Sequence, residues 1–254
     1  MPITGNTAKM MVIERLKEIT AKKDKVVILD VGCGDLNLWI DAGFDFSNLI
    51  IHGIDMDGKT LEIAKQNAKN LAKDSFYIYQ AKINELPSLF NFKFDIVVST
   101  QVLEHLKDLE SSFRSIRAIM KDGSVGLFTL DSGYYKPRIS LIGRWLAYLF
   151  RLKRRFGNSF YVRPLKEEIL QMNLEAAGLE LINVKHYALD PLKYIHNHLL
   201  PAYKQDKFAS EWKRLEDLLN EDREVIEKIK HNLMALYVEV VPARKGLTLK
   251  NEEN

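Results

Sequence analysis

The stretch Val26-Val-Ile-Leu-Asp-Val-Gly-Cys-Gly-Asp-Leu-Asn37 joins an apolar run to an acid and two closely spaced glycines. Such a run is typical of a strand that is buried on both faces of a parallel sheet. Glycines directly after it allow the backbone to turn tightly and allow another molecule to come close to it. We therefore predict a buried strand at 26–31 that leads into a ligand-binding turn.

Further apolar runs alternate with amphipathic segments along the chain. Lys59 to Lys73 and Leu109 to Met120 have helical spacing, and the residues at 121–123 predict the end of the second helix. The other predicted strands are 49–54, 76–80, 94–99, 125–130, 179–187 and 235–241, and the other predicted helices are 7–20, 166–177 and most of 191–232. This alternation predicts an α/β fold with a doubly wound, mostly parallel sheet of seven strands and helices on both faces.

The bulk composition is that of an ordinary globular protein. The chain has 254 residues, of which 46% are hydrophobic and 28% charged, and a formal net charge of +3. A charge this small does not indicate nucleic acid as a partner, because nucleic-acid binders usually carry a pronounced basic face. We predict a cytoplasmic protein, since the sequence has one cysteine, no apolar core of signal-peptide length and no run near the roughly 20 apolar residues of a membrane span.

Acids at two strand ends indicate a nucleoside ligand. Gly34 and Asp55 are separated by about 20 residues, the spacing at which a nucleotide-binding sheet presents a carboxylate to ribose hydroxyls. A dehydrogenase needs Gly-x-Gly-x-x-Gly to hold a pyrophosphate, and the sixth position here is Asn37. Asp30 would repel a pyrophosphate but favours an ammonium group. S-adenosylmethionine carries an ammonium, a sulfonium and a ribose without phosphate, and it fits this pattern better than a nicotinamide dinucleotide.

Several short motifs occur in a fixed order along the chain. They are Asp30-Val-Gly-Cys-Gly34, Gly53-Ile-Asp-Met-Asp57, Ala81-Lys-Ile-Asn-Glu-Leu-Pro87, Phe94-Asp-Ile-Val-Val-Ser-Thr-Gln-Val-Leu-Glu-His105, Lys121-Asp-Gly-Ser124 and Glu175-Ala-Ala-Gly-Leu-Glu180. In this order they resemble the class I S-adenosylmethionine-dependent methyltransferases, in their ubiquinone-biosynthesis-like branch (methyltransferase types 11 and 12). The resemblance covers most of residues 10–190 and, more loosely, the last strand. It implies a Rossmann-like fold and S-adenosylmethionine as the cofactor.

On the methionine side of the cofactor, the resemblance implies contacts from the glycine turn and from the fourth strand. Residues 32–34 should pass beneath the methionine part, and Asp30 should face its ammonium group through water. Ser99 and Thr100 should meet the methionyl group through backbone atoms. The full set of predicted cofactor-binding residues is Asp30, Gly32, Cys33, Gly34, Asp55, Met56, Lys82, Ile83, Ser99 and Thr100.

On the adenosine side, the resemblance implies that Asp55 accepts both ribose hydroxyls while Met56 and Ile83 lie on the two sides of the adenine. Two positions depart from the family. Leu36 stands where a third glycine is common, so we expect the helix start slightly farther from the ligand. Lys82 replaces the acid that commonly holds the adenine amine, and a lysine cannot accept that hydrogen bond. A methyltransferase fold that has lost catalysis and acts as a binding or scaffold protein therefore stays an alternative, and a nicotinamide dehydrogenase is a further one.

Methyl transfer mainly requires that the acceptor is aligned with the sulfonium and that water is excluded. A hydroxyl acceptor gains from a general base. His105 is the best-placed candidate for that base and Glu104 a weaker one, while the alternative role of His105 is to cap or pack the next helix. Ser99-Thr-Gln-Val102 lacks the Pro-Pro-aromatic pattern of amino-methylating nucleic-acid enzymes. We predict methyl transfer to a small-molecule or lipid-like acceptor, at oxygen.

Other polar residues have simpler interpretations. We expect Cys33 to be a small buried residue and not a nucleophile, and Asp57 to cap the next helix. His196 and His198 are interpreted as loop residues because no third metal ligand lies near them, and no metal is predicted.

The whole chain, 1–254, is predicted to be one domain with two insertions. Segment 132–165 follows the fifth strand, where the family builds its acceptor lid, and segment 190–233 is a helical insertion before the last strand. Residues 141–155 combine apolar, aromatic and basic side chains. They are interpreted as a lid helix, with peripheral contact to an anionic membrane as the alternative. The oligomeric state stays open.

Overall fold

The computed structural model describes residues 6–40, 42–136 and 162–243. Seven strands form one sheet in this part of the chain. They are β1 (Val26–Val31), β2 (Leu49–Asp55), β3 (Phe76–Gln80), β4 (Phe94–Thr100), β5 (Met120–Asp131), β6 (Leu179–Leu189) and β7 (Leu233–Pro242). The strand order across the sheet is β3-β2-β1-β4-β5-β7-β6.

The sheet is doubly wound and mostly parallel, as predicted. Strands β1 to β5 pair in parallel with one another, and β7 lies between β5 and β6 and pairs antiparallel with both. The chain builds outward from β1 to β2 and β3 and then crosses to β4 on the other side of β1. Open α/β sheets bind their ligands at such a switch point, outside the carboxyl ends of the strands. The predicted fold class is therefore confirmed.

Helices cover both faces of this sheet. Because successive side chains of a strand point to opposite faces, Val26 and Ile28 enter one core cluster, while Leu29 and Val31 enter the other. The first cluster includes residues of the helices Thr7–Thr20 and Gly58–Ala72, and the second includes residues of the helices Leu109–Ala118 and Glu167–Ala176. The helices are α1 (Thr7–Thr20), α2 (Asn37–Ile40), α3 (Gly58–Ala72), α4 (Leu86–Leu89), α5 (Leu109–Ala118), α6 (Glu167–Ala176), α7 (Asp190–Tyr194), α8 (Ala202–Asn220) and α9 (Arg223–Ile229).

The start of β5 differs from the sequence prediction. The strand begins at Met120 and not at Val125, because Met120 pairs with Phe94 while Val125 pairs with Ile96. One residue of β4, Asp95, thus lies opposite four residues of β5, 121–124, which bulge out around Gly123, whose φ is +78°. The residues at 121–123 that predicted the end of the helix lie inside this bulge.

Between β6 and β7 the chain is helical, in agreement with the prediction for most of 191–232. A π-helical turn at Ile195–Leu199 lies between α7 and α8, and a 3₁₀ turn at Lys230–Asn232 follows α9. Segment 132–165 begins and ends at a parallel bridge between Ser132 and Leu165. Residues 141–155, interpreted as a lid helix or a membrane contact, lie outside the described residues. Within the described ranges, no helix has the length and hydropathy needed to cross a bilayer.

Candidate functional site

A cleft of about 650 Å³ opens at the carboxyl ends of β1, β2, β3 and β4, at the switch point of the sheet. It brings together seven of the residues that the sequence singled out. They are Gly32, Asp55, Met56, Lys82, Ile83, Thr100 and His105. Residues that sequence reasoning did not single out for ligand contact also line the cleft: Ile54, Asp57, Thr60, Ala81, Asn84, Gln101, Val102, Leu106 and Lys107. Four predicted cofactor-binding residues, Asp30, Cys33, Gly34 and Ser99, are not among the residues that line the cleft.

Asp55 ends β2 with its carboxylate held between two backbone N–H groups. Gly34 N donates to Oδ2 at 3.1 Å, and Asp57 N donates to Oδ1 at 2.9 Å. A carboxylate oxygen can accept two hydrogen bonds, and each oxygen of Asp55 accepts one from these backbone groups. Each oxygen can therefore accept a further hydrogen bond from a ligand. The carboxylate is therefore oriented in advance, at the cleft, to accept a pair of hydroxyl groups.

The glycine turn after β1 is shaped by positive φ angles. Gly32 has φ +73° and Gly34 has φ +53°. A Cβ at Gly32 would lie 2.3 Å from Val102 Cγ2, whereas a Cβ at Gly34 would meet nothing within 4 Å. Leu36 also has a positive φ, +71°, and its side chain is completely buried. The missing third glycine is thus replaced by a leucine that keeps a glycine-like backbone and anchors the start of α2 in the core.

Asp30 lies inside the protein, beneath this turn. Its side chain is buried, and Oδ2 accepts a hydrogen bond from Trp39 Nε1 at 2.8 Å. Burial raises the pKa of Asp30 to about 6, and the Asp55 charge adds to this shift, while the Trp39 hydrogen bond and the Lys9 charge oppose it. A buried carboxylate in this state favours a cationic partner.

Lys9 is the most informative residue that sequence reasoning missed. It lies on α1, and burial lowers the pKa of its ammonium group, with the charges of Asp30, Asp35 and Glu104 opposing that shift. Among the described residues it has no ion pair. Asn6, which caps α1, donates from Nδ2 to Gln101 Oε1 at 3.3 Å and so ties the start of this helix to the end of β4. No local sequence signal reveals this approach, because Lys9 lies on an ordinary amphipathic helix, 21 positions before Asp30.

Two apolar residues that the sequence assigned to adenine, Met56 and Ile83, both line the cleft. Met56 is 67% exposed and Ile83 is 7% exposed. Lys82 also lines the cleft, and its backbone N–H donates to Glu85 Oε2 at 2.7 Å. Asn84 lies in the same turn and carries both a donor and an acceptor. The motif Ala81 to Pro87 contained this residue, and its amide is the signal that would have identified it.

The end of β4 and the turn after it place several polar groups at different depths. Ser99 Oγ donates to Val31 O at 3.0 Å, so its side chain joins two strands. Thr100 and His105 line the cleft, and the His105 side chain is exposed. Glu104 is 2% exposed, and burial raises the pKa of its carboxyl group to about 7. The Asp131 charge adds to that shift, while backbone hydrogen bonds and the His105 charge oppose it.

The residues with simpler interpretations have local roles. Cys33 is buried, and burial raises the pKa of its thiol far above the ordinary range, which disfavours a nucleophilic role. Asp57 caps α3, as predicted, and accepts from Lys59 N at 3.1 Å and Thr60 Oγ at 2.6 Å. The interpretation of His196 and His198 as residues of a solvated loop was wrong for His196: both lie in the π-helical turn at Ile195–Leu199, and His196 is buried there with Nδ1 2.7 Å from Asn197 Oδ1. Across the described ranges, no three His, Cys, Asp or Glu side chains are grouped to hold a metal ion.

Comparison with known proteins connects this cleft to one enzyme class. A family described as a methyltransferase domain matches residues 22–134. A ubiquinone biosynthesis O-methyltransferase of Haemophilus ducreyi is 31% identical over 170 residues, which cover 65% of this chain and 70% of that protein. A protein of the same name from Coxiella burnetii is 26% identical over 189 residues, covering 74% and 76%. The fold also matches the magnesium protoporphyrin IX methyltransferase of Synechocystis with bound S-adenosylhomocysteine, with a TM-score of 0.57, 14% identity and coverage of 94% and 84%.

Proposed function

This chain belongs to the class I S-adenosylmethionine-dependent methyltransferases, in the branch of the ubiquinone biosynthesis O-methyltransferases, and we propose that it methylates an aromatic hydroxyl of a small or lipid-like molecule. It is a methyltransferase, and its cofactor is S-adenosylmethionine. The relatives' names join O-methylation with ubiquinone, a lipid with a quinone ring, and this supports the proposed acceptor. The family membership does not favour the nicotinamide dehydrogenase or the inactive scaffold.

The geometry of Asp55 is the observation that carries the cofactor assignment. Its carboxylate is fixed by Gly34 N and Asp57 N at the end of β2, where a ribose binds in sheets of this type. Residues 32–34 form the turn beside it, and the open space over the Cβ position of Gly34 leaves room for a ligand. We assign the ribose hydroxyls to Asp55.

The opposite charges of Asp30 and Lys9 fit the zwitterionic methionine part. Asp30 would hold its ammonium group, and Lys9, which has no ion pair among the described residues, would hold its carboxylate. Ser99 and Thr100 would contribute backbone atoms from the end of β4. Burial strengthens such contacts because the effective dielectric constant is low.

Adenine would lie between Met56 and Ile83, two apolar residues that line the cleft. Asn84 is positioned in the turn where the family commonly has an acid, and its amide oxygen would accept the adenine amine in place of the acid that Lys82 replaces. In this proposal Asn84 compensates for the missing acceptor at Lys82.

The acceptor would enter past His105, under segment 132–165. When bound, the cofactor supplies a methyl group on a positively charged sulfur that leaves as a neutral thioether. The chain contributes alignment and a water-poor site, and residues 141–155 would cover the acceptor, with contact to an anionic membrane as their second role. Binding of anionic vesicles that is lost when 141–155 is deleted would support that second role.

Calorimetry and a methylation assay test the proposed function together. We expect S-adenosylhomocysteine to bind and NADH to show no binding. With S-adenosylmethionine and catechol or 4-nitrocatechol, mass spectrometry should detect the mono-O-methylated product. Binding of NADH in place of S-adenosylhomocysteine would overturn the cofactor assignment. If the cofactor binds but neither catechol is methylated, the aromatic-hydroxyl acceptor is wrong.

A further inference from the structure

Gln101 follows β4 directly and lines the cleft with its backbone in the left-handed region, at φ +58°. Its N–H donates to Thr129 O at 2.8 Å, so the residue stays paired with β5 before the chain turns. Among the residues that line the cleft, only Gly32 also has a positive φ. A side chain makes this conformation unfavourable, and such strain is typical of functional sites. We therefore expect the Gln101 side chain to have a task that glycine could not perform.

The side chain of Gln101 reaches the start of α1. Its Oε1 accepts a hydrogen bond from Asn6 Nδ2 at 3.3 Å, although the two residues are 95 positions apart in the sequence. Asn6 is the N-cap of α1, and its Oδ1 accepts from Lys9 N at 3.1 Å. The same planar amide group makes both bonds. It therefore sets the distance between the wall of the cleft and the first turn of the helix.

A second contact holds the first turn of α1 to the sheet. Thr7 Oγ1 accepts from Ala188 N at 3.1 Å, near the end of β6, and Thr7 is completely buried. Val12 and Leu16 of the same helix are completely buried in the core. Loss of the hydrogen bond between Asn6 and Gln101 should thus leave α1 docked and change only the position of its first residues.

Lys9 is the residue whose position depends most directly on Asn6. Burial lowers the pKa of Lys9, and the charge of Asp30 has the next largest effect on it, in the opposite direction. The ammonium group therefore lies near the acid beneath the glycine turn. In the proposed function this ammonium group binds the carboxylate of the methionine part. A lysine side chain is a flexible stem, so its backbone must be fixed if the ammonium group is to stay in place.

We propose that Gln101 is a positioning residue for the cofactor and that it acts through Asn6 to hold Lys9 at the methionine end of the cleft. This inference rests on the proposed function, because it uses the contact between Lys9 and the cofactor carboxylate. Gln101 thus acts on recognition of the amino-acid part of the cofactor and not on recognition of adenosine. Glycine would relieve the strained backbone but would remove the amide that Asn6 binds.

Two ligands separate this role from a general effect on the cleft. We expect Gln101→Leu to reduce affinity for S-adenosylhomocysteine about 3- to 10-fold, which is the effect of one neutral hydrogen bond. Affinity for 5′-methylthioadenosine, which lacks the amino-acid part, should not change. Isothermal titration calorimetry measures both affinities. Gln171→Leu, at an exposed position of α6, is the matched control and should bind both ligands like the wild-type protein.

Asn6→Ser removes the same hydrogen bond from the other partner. Serine caps a helix as well as asparagine does, but its short side chain lacks the amide that reaches Gln101. This variant should lose as much affinity for S-adenosylhomocysteine as Gln101→Leu, and the double variant should lose no more than either single variant. In Lys9→Met, Gln101→Leu should have no further effect, because the group that it positions is gone. Asn6→Ser also keeps the inference testable if Gln101→Leu is poorly folded.

Two small residues at position 101 test the link with the strained backbone. Gln101→Gly and Gln101→Ala both lack the amide, so both should lose as much affinity for S-adenosylhomocysteine as Gln101→Leu. Only glycine adopts a φ of +58° without strain, so Gln101→Gly should have the higher thermal midpoint of the two. Thermal denaturation followed by circular dichroism measures this order.

The outcomes separate the role of Gln101 from the cofactor assignment. Unchanged affinity for S-adenosylhomocysteine in Gln101→Leu and Asn6→Ser, equal losses for the two ligands, or additive losses in the double variant would overturn the inference. A further loss caused by Gln101→Leu in Lys9→Met would overturn it as well. If the wild-type protein binds neither ligand, the proposed function is wrong, and the role of Gln101 falls with it.

Discussion

Gly34 N donates a hydrogen bond to Asp55 Oδ2 at 3.1 Å and so joins the turn after β1 to the end of β2. We expect Asp55→Ala to weaken binding of S-adenosylhomocysteine by at least about 100-fold, because two charge-assisted hydrogen bonds to the ribose are lost at roughly 1.5–3 kcal/mol each. Isothermal titration calorimetry measures this change.

Asp57→Ala is the matched control for Asp55. The Asp57 carboxylate already accepts from Lys59 N and Thr60 Oγ, so its loss should cost about 1 kcal/mol of stability through the α3 cap. Affinity for S-adenosylhomocysteine should stay within a few-fold of the wild-type value. Equal affinities for wild-type protein and Asp55→Ala would show that the ribose binds elsewhere.

The raised pKa of Asp30 predicts opposite effects on stability and on binding. Its folded value of about 6 exceeds the ordinary 3.8, so the native state binds the proton more tightly and stability falls as the pH rises between these values. Asp30→Asn should therefore raise the free energy of unfolding at pH 8, by up to about 3 kcal/mol. The amide can still accept from Trp39. Urea denaturation at pH 5 and pH 8 measures the change.

The same substitution should weaken cofactor binding. In the wild-type protein, affinity for S-adenosylhomocysteine should decrease as the pH drops through about 6, because protonation of Asp30 removes the charge that faces the ammonium group. Asp30→Asn should bind weakly, and this pH dependence should be lost. A variant that is more stable and binds as well as the wild-type protein would contradict the role of Asp30.

Lys9 should recognise only the carboxylate of the cofactor. We expect Lys9→Met to reduce affinity for S-adenosylhomocysteine about 10- to 100-fold, the equivalent of one hydrogen bond to a charged group. Affinity for 5′-methylthioadenosine, which lacks the amino-acid part, should not change. Lys17→Met, on the exposed side of α1, serves as the control. Equal losses for both ligands would mean that Lys9 acts on the fold alone.

The positive φ of Leu36 predicts an unusual order of stability. Leu36→Ala and Leu36→Gly should both lose about 2–5 kcal/mol because a buried side chain is removed. The alanine variant should be the less stable by about 1 kcal/mol, since alanine also bears the cost of the left-handed backbone.

Leu61 provides the comparison for Leu36. It is buried in α3, where glycine is the poorer helix former, so Leu61→Gly should be less stable than Leu61→Ala. Chemical denaturation of the four variants tests both orders. The same order at both positions would contradict the strained backbone at Leu36.

Much of the fold was predictable because its signals are local. The apolar runs at β1 and β2 and the amphipathic spacing of α3 require only neighbouring residues to be recognised. The start of β5 was predicted wrongly because the signal that sets it is not local. A pairing between Met120 and Phe94, followed by a bulge, depends on two strands and leaves no periodic trace in one of them.

The sequence by itself determined the doubly wound sheet, the glycine turn and the acid at the end of β2, because hydrophobic periodicity and turn chemistry act over short distances along the chain. Only the tertiary structure decided that Lys9 approaches Asp30, that Asn84 lines the cleft and that Glu104 is buried with an unpaired oxygen. These relationships depend on how α1 and the ends of separate strands pack together. Burial and the pKa shifts that follow from it are properties of that packing and not of the residue type.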